Sequence, residues 1–264
     1  AQKFDSHARK FGAEVHTATV ERVRKLEDGW FETVTDAGDI YRSPTVILTA
    51  GGTPVKLGIP GELEYAGKGV SYCAICDGAF FKGHRIAVVG GGDAAVEESD
   101  FLTRYAEKVY LIHRRDRLRA SKILQKRVFD NPKIDIIWNT VVDRVEGDAK
   151  GLVHALHLRD VATDETRTLA ATGLFVFIGF RPNTGIIEGH VRHDEGGYLI
   201  TDPNMETSIR GLFAAGDVRA QLARQVTTAV GDATTAAIAA EKYLTALKNG
   251  QLDPLLTSSG GYAV

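Results

Sequence analysis

The stretch Cys73-Ala74-Ile75-Cys76-Asp77-Gly78 holds the only two cysteines of the 264 residues, with two residues between them. A pair at that spacing does thiol–disulfide chemistry or supplies half a metal site. A structural zinc needs four ligands, and no second Cys or His pair of matching spacing is present. His84 stands alone, while His154 and His157 read as strand residues rather than ligands. Two unrelated buried thiols would not explain why both fall in one tetrapeptide followed by an acid and a glycine. Cys73 and Cys76 are therefore read as a redox dithiol, and no metal is expected.

The residues that follow point to a nucleotide. His84-Arg85-Ile86-Ala87-Val88-Val89 reads as a short buried strand, and it runs into Gly90-Gly91-Gly92-Asp93-Ala94-Ala95, the start of a helix reaching to about Tyr105. This is the dinucleotide fingerprint in its Ala-ended form, G-x-G-x-x-A. Gly90 permits the tight turn, Gly92 lets the backbone approach a pyrophosphate, and Ala95 lets the helix pack close to the strand. The helix N-terminus offers free N–H groups and a positive dipole end to the phosphates. A second strand, Lys108 to Ile112, arrives where a βαβ unit requires one.

That strand ends in His113-Arg114-Arg115-Asp116-Arg117-Leu118-Arg119. Sites that prefer NAD place Asp or Glu here to accept from the ribose 2′-OH, whereas arginine pairs with a 2′-phosphate. Guanidinium matches phosphate geometry and keeps its charge. Arg114, Arg115 and Arg119, with His113, are read as selecting NADPH, the alternative being a solvated basic surface run.

Further on, Gly211-Leu212-Phe213-Ala214-Ala215-Gly216-Asp217-Val218 reads as an apolar strand ending in Gly-Asp. Gly216 brings backbone close and Asp217 offers a carboxylate, a pairing suited to the ribityl hydroxyls of a flavin. Arg224-Gln225-Val226-Thr227 then opens a long small-residue helix whose N-terminus suits an anionic isoalloxazine ring. Taken without the other motifs, these residues read equally well as a core helix and an ordinary turn.

These elements require a scaffold of strands and helices, and the composition allows it. With 44% hydrophobic and 25% charged residues, the chain is long enough for two cores. A net charge of −2 gives no footprint for nucleic acid or an anionic membrane. No apolar run approaches the roughly 18 residues of a membrane span, and no signal peptide is visible. A lone CxxC suits a reducing compartment, so the cytoplasm is expected.

Together the motifs resemble the low-molecular-weight bacterial thioredoxin reductases over essentially the whole chain. The matching residues are Cys73 to Gly78, Gly90 to Ala95, His113 to Arg115 with Arg119, Gly179-Phe180-Arg181-Pro182-Asn183-Thr184, Met205-Glu206-Thr207-Ser208, and Gly211 to Val218 with Arg224-Gln225. The resemblance implies an α/β fold of two dinucleotide-binding domains, with the NADPH domain inserted into the FAD domain. Residues 1–52 and 184–264 would form the FAD domain and residues 53–183 the NADPH domain with the dithiol. Each crossing carries an apolar strand, then Gly, then Pro, which suits a hinge.

The resemblance further implies that electrons pass from NADPH through FAD to the Cys73–Cys76 disulfide and on to thioredoxin, in a homodimer. Cys76 would face the flavin, Cys73 would attack the substrate, and Asp77 would protonate the leaving thiolate. Two departures stand out. Full members open with a strand and G-x-G-x-x-G that bind the ADP half of FAD, whereas this chain opens at Ala1-Gln2-Lys3-Phe4-Asp5, in an expected helix leading to a strand at about Glu14 to Val20. It therefore reads as a fragment lacking that half. At Thr49-Ala50-Gly51-Gly52 the family usually has Ala-Thr-Gly, which displaces a hydroxyl and keeps the Gly51 turn. A peroxiredoxin-reductase flavoprotein is the nearest alternative, opposed by Arg114 and Arg115. An enzyme taking electrons from ferredoxin, opposed by the intact nucleotide motif, and a non-catalytic nucleotide-binding or regulatory module are the others.

Overall fold

The computed structural model describes residues 2–255 and divides into two compact units, Ala1–Thr53 with Arg181–Val264, and Pro54–Phe180. The second unit is built on a five-stranded parallel sheet. Its spatial order is Val70–Ser71, Gly173–Phe177, Arg85–Gly90, Lys108–Ile112 and Ile134–Ile137. Parallel strands covered on both faces read as unbroken apolar runs. Ile86-Ala87-Val88-Val89 is such a run, and its side chains divide by the two-residue period of a strand. Ile86 and Val88 face a core shared with Val96, Leu102, Val109, Leu111 and Phe175, covered by helices Asp93–Leu102 and Lys122–Asp130. Ala87 and Val89 face the opposite core, with Leu156, Leu158, Leu174 and Val176.

That opposite core is closed by an antiparallel sheet of Thr140–Gly147, Val153–Asp160 and Thr166–Ala170. His154 and His157 both lie on its middle strand. The unit thus has three layers, and each fully buried Leu, Ile, Val or Phe contributes about 1.5–3 kcal/mol.

The first unit carries an antiparallel meander, Val20–Lys25, Phe31–Thr35 and Ile40–Ser43, and a parallel pair, Val46–Leu48 with Leu212–Ala214. The 23-residue helix Val226–Lys248 buries Ala236, Ala240 and Tyr243 against Phe213 and Ala215. The helix expected at the start spans Gln2–Lys10. The strand expected at Glu14 to Val20 instead begins at Val20. Its ladder stops there because the partner strand ends at Thr35, opposite Val20. Residues 13–19, left without a partner strand, are exposed.

Candidate active site

The dithiol sits where the edge strand Val70–Ser71 turns into the short helix Ala74–Asp77. Cys73 and Cys76 form a disulfide with Cα atoms 5.3 Å apart. Cys73 is half-buried and Cys76 exposed. The Cys76 N–H donates to Cys73 Sγ at 3.2 Å. A donor aimed at one sulfur favours negative charge on that sulfur when the bond opens.

Asp77 ends the helix, and its Oδ2 accepts from the buried Ser71 hydroxyl at 2.6 Å. Ser71 Oγ also accepts the Cys73 N–H at 3.1 Å. One residue earlier in the chain than Cys73, the Tyr72 hydroxyl donates to Glu62 at 2.9 Å. Glu62 is 1% exposed, and it also accepts the N–H groups of Leu57 and Gly58. Burial and this carboxylate push the Tyr72 hydroxyl well above its ordinary pKa. Ser71, Tyr72 and Glu62 carry no spacing signal, and sequence reasoning passed over them.

Gly78 joins the dithiol to the nucleotide motif. A Cβ there would meet Leu102 at 3.0 Å and Tyr105 at 3.3 Å, so the glycine lets the dithiol turn rest on the far end of helix Asp93–Leu102. At the other end of that helix is the fingerprint turn. A Cβ at Gly90 would stand 2.4 Å from Ala95 Cβ and 2.5 Å from the Phe177 carbonyl oxygen, which accounts for both Gly90 and Ala95. At Gly92 a Cβ would meet nothing within 4 Å. Gly92 and Asp93 begin the helix without a side-chain cap from Gly92, and Asp93 and Ala94 are exposed.

The arginine loop is stitched to this turn. Arg119 and Ala120 N–H groups donate to the Gly91 carbonyl at 2.7 and 3.2 Å. The Ser121 N–H donates to Asp93 Oδ1 at 2.7 Å. His113 is buried, its ring against Gly91, with Nδ1 2.8 Å from the Gly90 carbonyl and Nε2 3.0 Å from that of Arg117. Burial lowers its pKa, the two carbonyls oppose this, and the charges of Arg115 and Arg119 add to the lowering. His113 is thus a brace inside the turn. Arg114, Arg115, Arg117 and Arg119 are exposed, and no carboxylate pairs with them among the described residues. An open cradle at Gly92, uncapped N–H groups and unpaired guanidinium groups fit a phosphorylated dinucleotide.

In the other unit, the parallel strands Val46–Leu48 and Leu212–Ala214 bring Gly51 and Gly216-Asp217 to one end, where open α/β sheets bind ligands. Gly51 has a φ of +60° and open space beside it. Asp217 is half-buried, and its carboxylate is bonded to no described residue. Between this turn and the long helix, Gln221 Nε2 and Arg224 Nε are buried without hydrogen-bond partners among the described residues. The Arg224 guanidinium stacks on Tyr198 at 4.0 Å. Gln225 caps the helix through a capping box with Thr228, and Val226 is 75% exposed. Buried donors with nothing to bond are costly, and a polar ligand here would satisfy them.

A nucleotide turn and a disulfide carried at opposite ends of one helix in the same unit define a class of electron-transferring reductase. The pyridine nucleotide-disulphide oxidoreductase family matches residues 1–233. A thioredoxin reductase of Bacillus subtilis is 43% identical over 94% of this chain and 78% of its own length. One from Streptomyces clavuligerus is 47% identical over 93% of this chain and 76% of its own. The crystal structure of thioredoxin reductase from Streptococcus pyogenes superimposes with a TM-score of 0.88 at 42% identity, covering 93% of this chain and 79% of that one. The chain belongs to the pyridine nucleotide-disulphide oxidoreductases and, within them, to the bacterial-type thioredoxin reductases.

Proposed function

We infer that this chain performs thioredoxin-disulfide reduction, taking electrons from NADPH through FAD and delivering them from Cys73 and Cys76 to thioredoxin. The observation that carries the reading is the surface disulfide with Asp77 beside it, mounted on the unit that bears the nucleotide turn. Gly90, Gly92, Ala94 and Ala95 would seat the NADPH pyrophosphate, and Arg114, Arg115 and Arg119 its 2′-phosphate, which makes Pro54–Phe180 the NADPH domain. Gly51, Gly216, Asp217, Arg224, Gln225 and Val226 would hold FAD on the other unit. Bound FAD supplies two-electron transfer between NADPH and the disulfide.

The residues of the chain then carry the exchange. Cys73 loses its proton to water, favoured by the Cys76 N–H, and its thiolate attacks one sulfur of the partner disulfide. The intermolecular S–S bond forms, the partner bond breaks, and the expelled thiolate takes the Asp77 proton. Cys76 next returns a proton to Asp77 and attacks Cys73. The Cys73–Cys76 bond closes, and the second partner thiolate leaves and takes a proton from water. The dithiol is oxidised and the partner disulfide reduced, with protons balanced.

No described helix is long and apolar enough to cross a membrane. A cytoplasmic location and a homodimer complete the proposal, and light scattering tests the second. The function is tested by reducing the chain with dithiothreitol, removing the reagent, and mixing with oxidised thioredoxin. Stoichiometric appearance of thioredoxin thiols is expected, with NADPH driving further turnovers once FAD is supplied. A pre-reduced chain that leaves thioredoxin oxidised would sink the reading.

A further inference from the structure

We propose that Ser71 is a positioning residue that presents the Asp77 proton to the exchanging sulfurs. The proposal rests on the reading of Asp77 as the acid of the exchange.

Ser71 is the last residue of an edge strand and is 5% exposed. It is the shared atom between the two parts of the dithiol turn: it accepts the Cys73 N–H at 3.1 Å and donates to Asp77 Oδ2 at 2.6 Å. A second acceptor, the Cys73 carbonyl, lies at 3.3 Å, and the single hydroxyl hydrogen goes to the closer carboxyl oxygen. With Oδ2 committed to Ser71, a proton taken up by Asp77 sits on Oδ1, which bonds to no described residue. The carboxyl is thereby held in one orientation with its transferable proton on the free oxygen.

The same pair lines a cavity of about 470 Å³, together with Phe80, His84, His154 and Thr172. The carboxyl therefore borders open space within the same unit. A hydrogen bond that orients an acid acts on the rate of proton transfer and leaves partner binding alone.

The test uses the pre-reduced chain in single turnover against two disulfides. Oxidised thioredoxin expels an ordinary thiolate that needs a proton, whereas 5,5′-dithiobis(2-nitrobenzoate) expels a thiolate stable without one. Ser71→Ala is expected to lower the limiting rate with thioredoxin about tenfold at unchanged half-saturation, a fraction of what general acid catalysis supplies. The rate with the nitrobenzoate disulfide should hold within about twofold, and a parent-like thermal melt shows that the variant is folded. Ser71→Thr, which keeps the hydroxyl, should restore the thioredoxin rate. In an Asp77→Asn background, Ser71→Ala should add less than about twofold, because the two residues act as one unit. Where Ser71→Ala does not fold, Asp77→Glu replaces it: the acid is kept but moved off the hydroxyl, and the same selective loss is expected.

The proposal is overturned if Ser71→Ala or Asp77→Glu matches the parent with thioredoxin, if both disulfides slow equally in a folded variant, or if only half-saturation changes. If Asp77→Asn alone keeps the parent rate, the acid assignment fails first and the proposal falls with it. If Asp77→Asn is slow and Ser71→Ala is not, only the positioning role fails.

Discussion

The dithiol turn and the arginine loop lie on the same unit and are built on opposite principles. In the dithiol turn the polar groups answer one another: Ser71 holds Asp77 and Cys73, Cys76 holds Cys73, and Glu62 holds Tyr72. In the arginine loop the backbone is bonded to Gly91 and Asp93 while the guanidinium groups have no carboxylate partner among the described residues. The first arrangement is complete without a ligand, as suits chemistry done by its own sulfurs. The second leaves like charges close together, which is unfavourable until an anion arrives. A self-satisfied site carries its reaction with it, and a charged, unsatisfied one identifies its ligand.

The comparison is broken most severely at the sulfurs. Cys73→Ser and Cys76→Ser should each abolish thioredoxin reduction, a loss of more than about a thousandfold, with NADPH affinity unchanged by calorimetric titration. Weaker nucleotide binding in either variant would mean the two regions are not independent. With FAD bound, a long-wavelength charge-transfer band in Cys76→Ser but not Cys73→Ser would exchange the two proposed roles.

At the arginine loop the expected change is smaller and confined to one nucleotide. Replacing Arg114 and Arg115 by Gln should raise KM for NADPH by at least about 100-fold, since charge-assisted bonds contribute roughly 1.5–3 kcal/mol each and two are lost. KM for NADH should hardly move. A parent protein that uses the two nucleotides equally would remove the assignment.

Two glycines two residues apart sharpen the contrast between folding and binding. Gly90→Ala should destabilise the protein by about 1–3 kcal/mol, because its Cβ has no room beside Ala95 and the Phe177 carbonyl. Gly92→Ala should cost under about 1 kcal/mol in a denaturant titration and weaken NADPH binding about tenfold, as the space it fills is the cradle. Equal stability losses at both positions would contradict that division.

The smallest effect comes from His113. Burial lowers its native pKa, so on acidification the unfolded chain takes up the proton first, near pH 6.5. Its contribution to stability is complete above that pH and is lost as the pH falls toward the native pKa. A denaturant midpoint that declines from pH 7 to pH 5, with a shallower decline in His113→Gln, is expected. Identical slopes in the two proteins would assign the acid sensitivity elsewhere.

Much of this was legible in the residues themselves. CxxC spacing, G-x-G-x-x-A and a strand of Ile86-Ala87-Val88-Val89 are local statements, enforced by backbone sterics and side-chain periodicity over a few residues. They name the chemistry before any fold is known. The long small-residue helix and the apolar strand before Gly216-Asp217 were readable for the same reason. Other features depend on partners far along the chain. The ladder beginning at Val20 rather than near Glu14 is set by where the strand ending at Thr35 stops. His113 reads like one more phosphate ligand beside the arginines, and only packing against Gly91, 22 residues earlier, turns it inward. Ser71 and Glu62 look like any serine and glutamate until the fold buries them against Asp77 and Tyr72. Spacing along the chain determines which groups can react, because backbone geometry acts over a few residues. Which of those groups are braced, oriented or left waiting for a ligand was decided by the tertiary structure, because burial and hydrogen-bond partners come from segments the local sequence does not contain.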